Sequence, residues 1–295
     1  MSRMKRLYEE FSSVLKNVGI QNGDMLYIAS DITQLILDAT KCIDINKENE
    51  RNIFLHGIVN SIQQIIGREG TILFPVFSWS FCRDNYFDYC ETDGETGAFS
   101  NWVRVNRSDF YRTKHPIYSF MVWGKYTDYF HSMDNQESWG MDSPFAYMHK
   151  MNAKLMLLNV SLQRGFTFMH YVEQCLEVPY RYHKYFIGEY KDEKGTVTKR
   201  CYSMYVRDLS ISMEENLPDS FAEKEMNAQK AEFLNSTIKL IDLRKAFCAV
   251  ENDFKQNNGK NCYRFDGYTI DWREGNTHND EICYGISRRY CKKIP

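Results

Sequence analysis

No stretch of this chain is apolar over the roughly 18 residues that a membrane-spanning helix needs. Three of the first six residues are basic, but no apolar segment follows them, so a secretory leader is not expected. Charge of either sign is not in excess. The net value of −2 over 295 residues gives no general electrostatic case for nucleic acid or an anionic membrane surface as partner. There is no C-x-x-C pair, and the nine cysteines fall at irregular positions without the His/Cys spacing of a metal centre. That pattern predicts reduced thiols in a cytoplasmic protein, and no metal. G-x-S-x-G is absent, which leaves a hydrolase nucleophile elbow unsupported. Neither G-x-x-x-x-G-K-[ST] nor G-x-G-x-x-G occurs, so nucleotide cradles of those two kinds are missing. Internal repeats, low-complexity blocks and linkers are missing too.

What remains is an ordinary globular composition, 43% hydrophobic and 26% charged, long enough for a sizeable core. Aromatic residues stand high at 15%. They suit a pocket that stacks on sugar rings, a thick core or a subunit interface equally well, so a homodimer stays among the expectations.

Short apolar runs bounded by turn residues predict buried strands over 25–28, 70–78 and 153–160. Helical spacing appears over 5–18, where Gly19 stops it, over 52–66, and over 99–105. Shorter helices are predicted over 126–132 and 145–151, the second with Ser143 as N-cap and Pro144 at the first helical position. Residues 186–190 and 196–207 read as a hairpin, and 227–241 as a strong amphipathic helix. Between 79 and 102 no period is clear, which predicts a long surface excursion. Alternating strands and helices predict one α/β domain with a β-hairpin elaboration. The tail carries a basic run at Arg288-Arg289-Tyr290-Cys291-Lys292-Lys293.

The chain is organised around Thr167-Phe168-Met169-His170-Tyr171-Val172-Glu173 and the nearby Val178-Pro179-Tyr180-Arg181. A strand, a loop with Gly165 and a helix beginning near Thr167 put His170 and Glu173 on one helical face. A carboxylate beside an imidazole fixes one tautomer and makes the ring a better base. The spacing alone fits a satisfied histidine beside a solvated glutamate at least as well. Ser30 and Asp31 end the first strand as N-cap types, where backbone N–H groups suit an anion. Arg112-Thr113-Lys114-His115 is a basic turn that could meet phosphate oxygens.

With these blocks in hand the sequence resembles the aminoglycoside 3-N-acetyltransferase family. The matching pieces, in the family's order, are Gly23-Asp24 with the Ser30 loop, Gly70-Thr71 through Pro75, Gly97-Ala98, Arg112-x-x-His115-Pro116, Gly140-x-x-Ser143-Pro144, and Thr167 through Glu173. The resemblance implies a three-layer α/β/α sandwich over residues 1–250, with 251–295 an extension of unknown role packed on the same domain. It implies acetyl-CoA as co-substrate, an amine of an amino sugar or aminoglycoside as acceptor, His170 as general base and Glu173 as its partner. It also implies a cofactor site lined by Ala29, Ser30, Asp31, Phe77, Ser78, Arg112, Thr113 and His115. The sequence departs from the family at Ala29-Ser30-Asp31, where His-Ser-Ser is common, and at Asn159, where Gly is usual. The acceptor expected from the departure at Ala29-Ser30-Asp31 and from the unmatched basic tail is a mono-amino sugar, nucleotide-linked ones included, rather than a polycationic antibiotic. Three other readings stay open: a CoA- or sugar-binding homologue without turnover, a covalent route through Cys175, and a metal-dependent hydrolase using His115, His170 and Glu173.

Overall fold

Helix Arg3–Asn17 buries Leu7, Phe11 and Leu15, four residues apart and so on one stripe, and Gly19 ends the turn that follows with φ 108°. It packs on helix Glu48–Ile66, whose buried face carries Phe54, Ile58, Ile62 and Ile65. The structure is a computed structural model that describes residues 3–273, so the basic run at 288–293 lies outside the described residues.

The strands in chain order are β1 (Met25–Ser30), β2 (Thr71–Pro75), β3 (Tyr86–Asp88), β4 (Tyr111–Arg112), β5 (Phe120–Gly124) and β6 (Lys154–Leu158). They continue with β7 (Arg181–Lys191), β8 (Val197–Arg207), β9 (Met213–Glu215), β10 (Gln229–Phe233), β11 (Ser236–Asp242) and β12 (Tyr263–Phe265). Seven form one sheet in the order β10-β11-β6-β1-β2-β5-β4. Its centre is parallel, with β1 between β2 and β6, and antiparallel strands close both sides. Central parallel strands are covered on both faces, which is why they read as continuous apolar runs.

Alternation along those strands separates two cores. Leu26, Ile28, Ile72, Phe74, Met156 and Leu158 face one layer, with helices Arg3–Asn17, Glu48–Ile66 and Ala98–Asn106. Tyr27, Ala29, Leu73, Leu155 and Leu157 face the other, with helices Phe168–Cys175 and Leu243–Asn257. The expected three-layer α/β architecture is therefore present. The hairpin β7–β8 stands apart from the main sheet and binds β3 at its edge.

Two expected elements differ. Residues 227–241 are not a helix but a β10–β11 hairpin, turned at Leu234, which takes φ 54°. Its apolar residues fit a period of 3.6 and of 2 about equally. Pairing decides: β11 lies antiparallel along the whole of β6 and satisfies backbone groups that a helix would leave bare. Residues 79–102 do run largely along the surface, but not without structure of their own. They hold helix Ser80–Asp84, β3 and the start of helix Ala98–Asn106, and the rings of Phe81 and Phe87 are fully buried. Helix Leu243–Asn257 runs through the expected boundary at 250/251, and beyond it Cys262 and Tyr263 lie buried in the same core as Tyr180.

Candidate functional site

β6 ends at Leu158, and a connection that includes the one-turn helix Leu162–Gly165 brings the chain to helix Phe168–Cys175. Gly165 makes the return tight, since a Cβ there would stand 2.4 Å from Leu157 Cδ2. Thr167 precedes the helix but does not cap it; its backbone is already helical and its side chain meets the Tyr27 hydroxyl instead. The first turn then presents His170 at the surface of the core.

His170 Nδ1 lies 2.7 Å from Glu173 Oε2. The His170 side chain is 24% exposed and Glu173 is fully enclosed. Tyr180 donates its hydroxyl to the other carboxylate oxygen at 2.8 Å, and Arg181 Nε stands 2.9 Å from that same oxygen. Burial pushes the Glu173 carboxyl up, but the Arg181 charge and the His170 ring outweigh it and hold the group down at about 2. Glu173 is thus an anion at any working pH. Its partner nitrogen must carry the proton to donate, which leaves Nε2 of a neutral His170 with the free lone pair. The ring of Trp139 covers one side of the imidazole, centroid to centroid 5.1 Å.

Two hollows share walls beside this helix, and His170 lines the smaller. A cavity of about 60 Å³ is lined by His170, Met169, Gln163, Glu215, Leu217, Cys262 and Tyr263. A larger cleft of about 350 Å³ is lined by Tyr27, Ala29, Ser30, Asp31, Phe77, Thr96, Gly97 and Ser100. Arg164 and Thr167 belong to both walls. Gly97, with φ 80°, opens helix Ala98–Asn106 at the edge of the cleft, so backbone N–H groups of a helix start line it. Asp31 accepts from Thr33 N at 3.0 Å and closes the first turn of helix Thr33–Cys42.

Of the expected cofactor residues, the fold brings Ala29, Ser30, Asp31 and Phe77 together in this cleft. Ser78, Arg112, Thr113 and His115 are not on its surface. The Ser78 hydroxyl donates to Glu95 at 3.1 Å. Arg112 is 3% exposed, its guanidinium donating to Ser119 Oγ and to the carbonyls of Tyr89 and Thr92, with the Phe87 ring beneath it. Thr113 Oγ1 accepts from Phe120 N, and His115 Nδ1 accepts from the N–H groups of Ile117 and Tyr118. A basic turn looked exposed in the sequence, but these side chains satisfy the backbone of the 79–120 region from inside.

His115, His170 and Glu173 are not brought together, and among the described residues no group of three or more His, Cys, Asp or Glu side chains has metal-site geometry. Burial pushes the Cys175 thiol up while its hydrogen bond with Tyr171 pulls it down, and the residue lies outside the linings of both hollows. Sequence reasoning singled out the Tyr180-Arg181 stretch without giving it a role, and missed Arg164 and Trp139. The Gln163-Arg164-Gly165 turn just before the helix was a readable signal for Arg164. Nothing in the sequence marked Trp139.

A family model described as aminoglycoside 3-N-acetyltransferase matches residues 47–255. Among solved structures, the YokD protein from Bacillus subtilis superposes with a TM-score of 0.65 at 17% identity, over 84% of this chain and 98% of that one. A binary structure of AAC-IIIb with CoASH gives 0.64 at 14%, over 83% and 96%. AAC-VIa bound to sisomicin gives 0.62 at 16%, over 82% and 94%. At such identities the likeness shows the fold alone. No curated protein matches the chain.

Proposed function

The chain belongs to the aminoglycoside 3-N-acetyltransferase family, and from that premise we propose that it moves an acetyl group from acetyl-CoA to an amine of an amino sugar by direct attack, with His170 as general base. The carrying observation is the buried Glu173 carboxylate 2.7 Å from His170 Nδ1, with the ring lining a cavity that shares Arg164 and Thr167 with the larger cleft. When bound, acetyl-CoA supplies an acyl carbon open to an amine nucleophile. The cleft suits such a group: the Ser30 hydroxyl is buried there with no partner among the described residues, and Gly97 would crowd the Ser30 carbonyl if it carried a Cβ. Ala29, Ser30, Asp31, Phe77 and Arg164 wall the cofactor cleft in this reading. Arg112, Thr113 and His115 brace the 79–120 region from inside, away from the cleft wall.

A protonated amine has no lone pair, so the acceptor must give up a proton as it attacks. Nε2 of His170 takes it, and the imidazolium that forms is stabilised by Glu173. No side chain is acylated in this route, in keeping with the raised Cys175 thiol.

The acceptor follows from charge. The acids of residues 84–95 would serve a polycation if they were free. Three of the five are not: Asp88 pairs with Lys191, Asp93 with Arg104 and Glu95 with Arg83, and neither Asp84 nor Glu91 lines either hollow. Of the residues lining the His170 cavity other than its own dyad, Glu215 is the carboxylate. That favours an acceptor with few ammonium groups, whereas the sisomicin held by AAC-VIa favours a polycation.

Release of free thiol from acetyl-CoA, measured against a panel of 2-deoxystreptamine aminoglycosides and nucleotide-linked amino sugars, tests the reading. Turnover with the amino sugars above that with sisomicin is expected. Efficient turnover with sisomicin alone overturns the acceptor and keeps the reaction. Binding of acetyl-CoA without turnover on any amine overturns the reaction.

A further inference from the structure

Glu173 is gripped from two sides, and only one grip belongs to the proton-transfer pair. Oε2 faces His170. Oε1 is held by the Tyr180 hydroxyl and by Arg181, whose Nε contact at 2.9 Å is an ion pair rather than an aligned hydrogen bond. Arg181 is itself committed. Its Nη1 donates to the Tyr205 carbonyl and its Nη2 to the Tyr263 hydroxyl, each at 3.1 Å. Tyr205 in turn donates to the Val178 carbonyl at 2.7 Å, two residues before Tyr180. Glu173, Tyr180, Arg181, Tyr205 and Tyr263 are all buried.

With His170 neutral, the buried cluster of Glu173 and Arg181 carries no net charge. Once His170 takes a proton it carries one positive charge. The guanidinium therefore opposes that proton while the carboxylate invites it. We propose that Arg181 is a positioning residue of the dyad: it fixes Glu173 so that Oε2 meets His170, and its buried charge stands against the proton that His170 accepts. This rests on His170 being the base.

The other groups around the ring do not compete for the role. Burial raises the Tyr180 and Tyr263 hydroxyls and the Cys262 thiol well above their usual ranges, so they stay neutral through the working pH window. Arg164 and Glu215 face the cavity and carry the same charges in every variant below. A purely structural Arg181 would change stability but leave the titration of His170 alone.

The test is kcat/KM against pH with one acceptor, together with NMR titration of the His170 ring protons, in the wild type, Arg181→Met, Arg181→Lys and Glu173→Gln. In Arg181→Met both the acidic limb and the ring titration should move up by about one pH unit. Glu173→Gln should move both down. Arg181→Lys keeps the charge, so the limb should hold within a few tenths of a unit, while kcat falls about tenfold at unchanged KM because the planar fork is lost. An Arg181→Met protein with wild-type limb and titration overturns the proposal. If Arg181→Met does not fold, Arg181→Lys decides alone, and wild-type kcat there overturns it. A ring titration that moves while the rate limb stays put overturns His170 as base, and the proposal with it. An inactive His170→Ala beside an unmoved Arg181→Met titration overturns the proposal only.

Discussion

A histidine with almost no exposed surface has to stay neutral. His115 is 1% exposed, and burial lowers its pKa from 6.5 to about 3. Its Nδ1 accepts two backbone N–H groups, which a protonated ring could not do. In the unfolded chain the same ring charges freely near 6.5, so below that pH the unfolded state binds the extra proton. Stability from His115 is full above about 6.5 and is lost as pH falls toward 3, by about 1.4 kcal/mol per pH unit. Glu173 acts in the same sense over a lower window: held at about 2 against 4.5 unfolded, its contribution is full above 4.5 and is lost only as pH falls below it. Urea unfolding at pH 7, 6 and 5 should therefore show a falling free energy in the wild type and a flatter one in His115→Asn, which keeps an acceptor but cannot charge. Equal slopes in the two proteins would assign the acid sensitivity to another group.

Among the elements, the segment 79–102 depends most on one side chain. Arg112, from β4, ties the carbonyls of Tyr89 and Thr92 while the Tyr89 hydroxyl donates back to the Arg112 carbonyl at 2.5 Å. Removing the guanidinium strands those carbonyls in the interior, at about 3 kcal/mol or more. Arg112→Ala should accordingly unfold at lower urea concentration while its KM for acetyl-CoA stays near the wild-type value. A raised KM with unchanged stability would return Arg112 to the cofactor surface. Side-chain direction of this kind was not legible in the sequence. The central strands were, because burial on both faces leaves unbroken apolar runs at β1, β2 and β6. The Ser143 cap was legible too, and its oxygen does accept from Ala146 N. The β10–β11 hairpin was not, since its apolar spacing fits two periods and the partner that chooses between them, β6, is 80 or more residues away in the chain, as in the pair Ile238 and Leu158. Likewise His170 and Glu173 could be paired from a three-residue spacing, but the Tyr180 and Arg181 grip on the far oxygen needed the fold.

At the scale of the whole molecule, a parallel sheet centre ends its strands β1, β2 and β6 at one rim, and the larger cleft opens there, sharing Arg164 and Thr167 with the cavity that His170 lines. Among the described residues no helix is long and apolar enough to cross a membrane. The account's central claim is that one exposed ring nitrogen at that rim removes the acceptor's proton. The most direct measurement is kcat/KM of His170→Ala against the wild type with one active acceptor, alongside its unfolding curve and its acetyl-CoA affinity. The account predicts a loss on the order of 10²–10⁴ in rate with folding and cofactor affinity nearly unchanged. A folded variant within a few-fold of the wild type would contradict it.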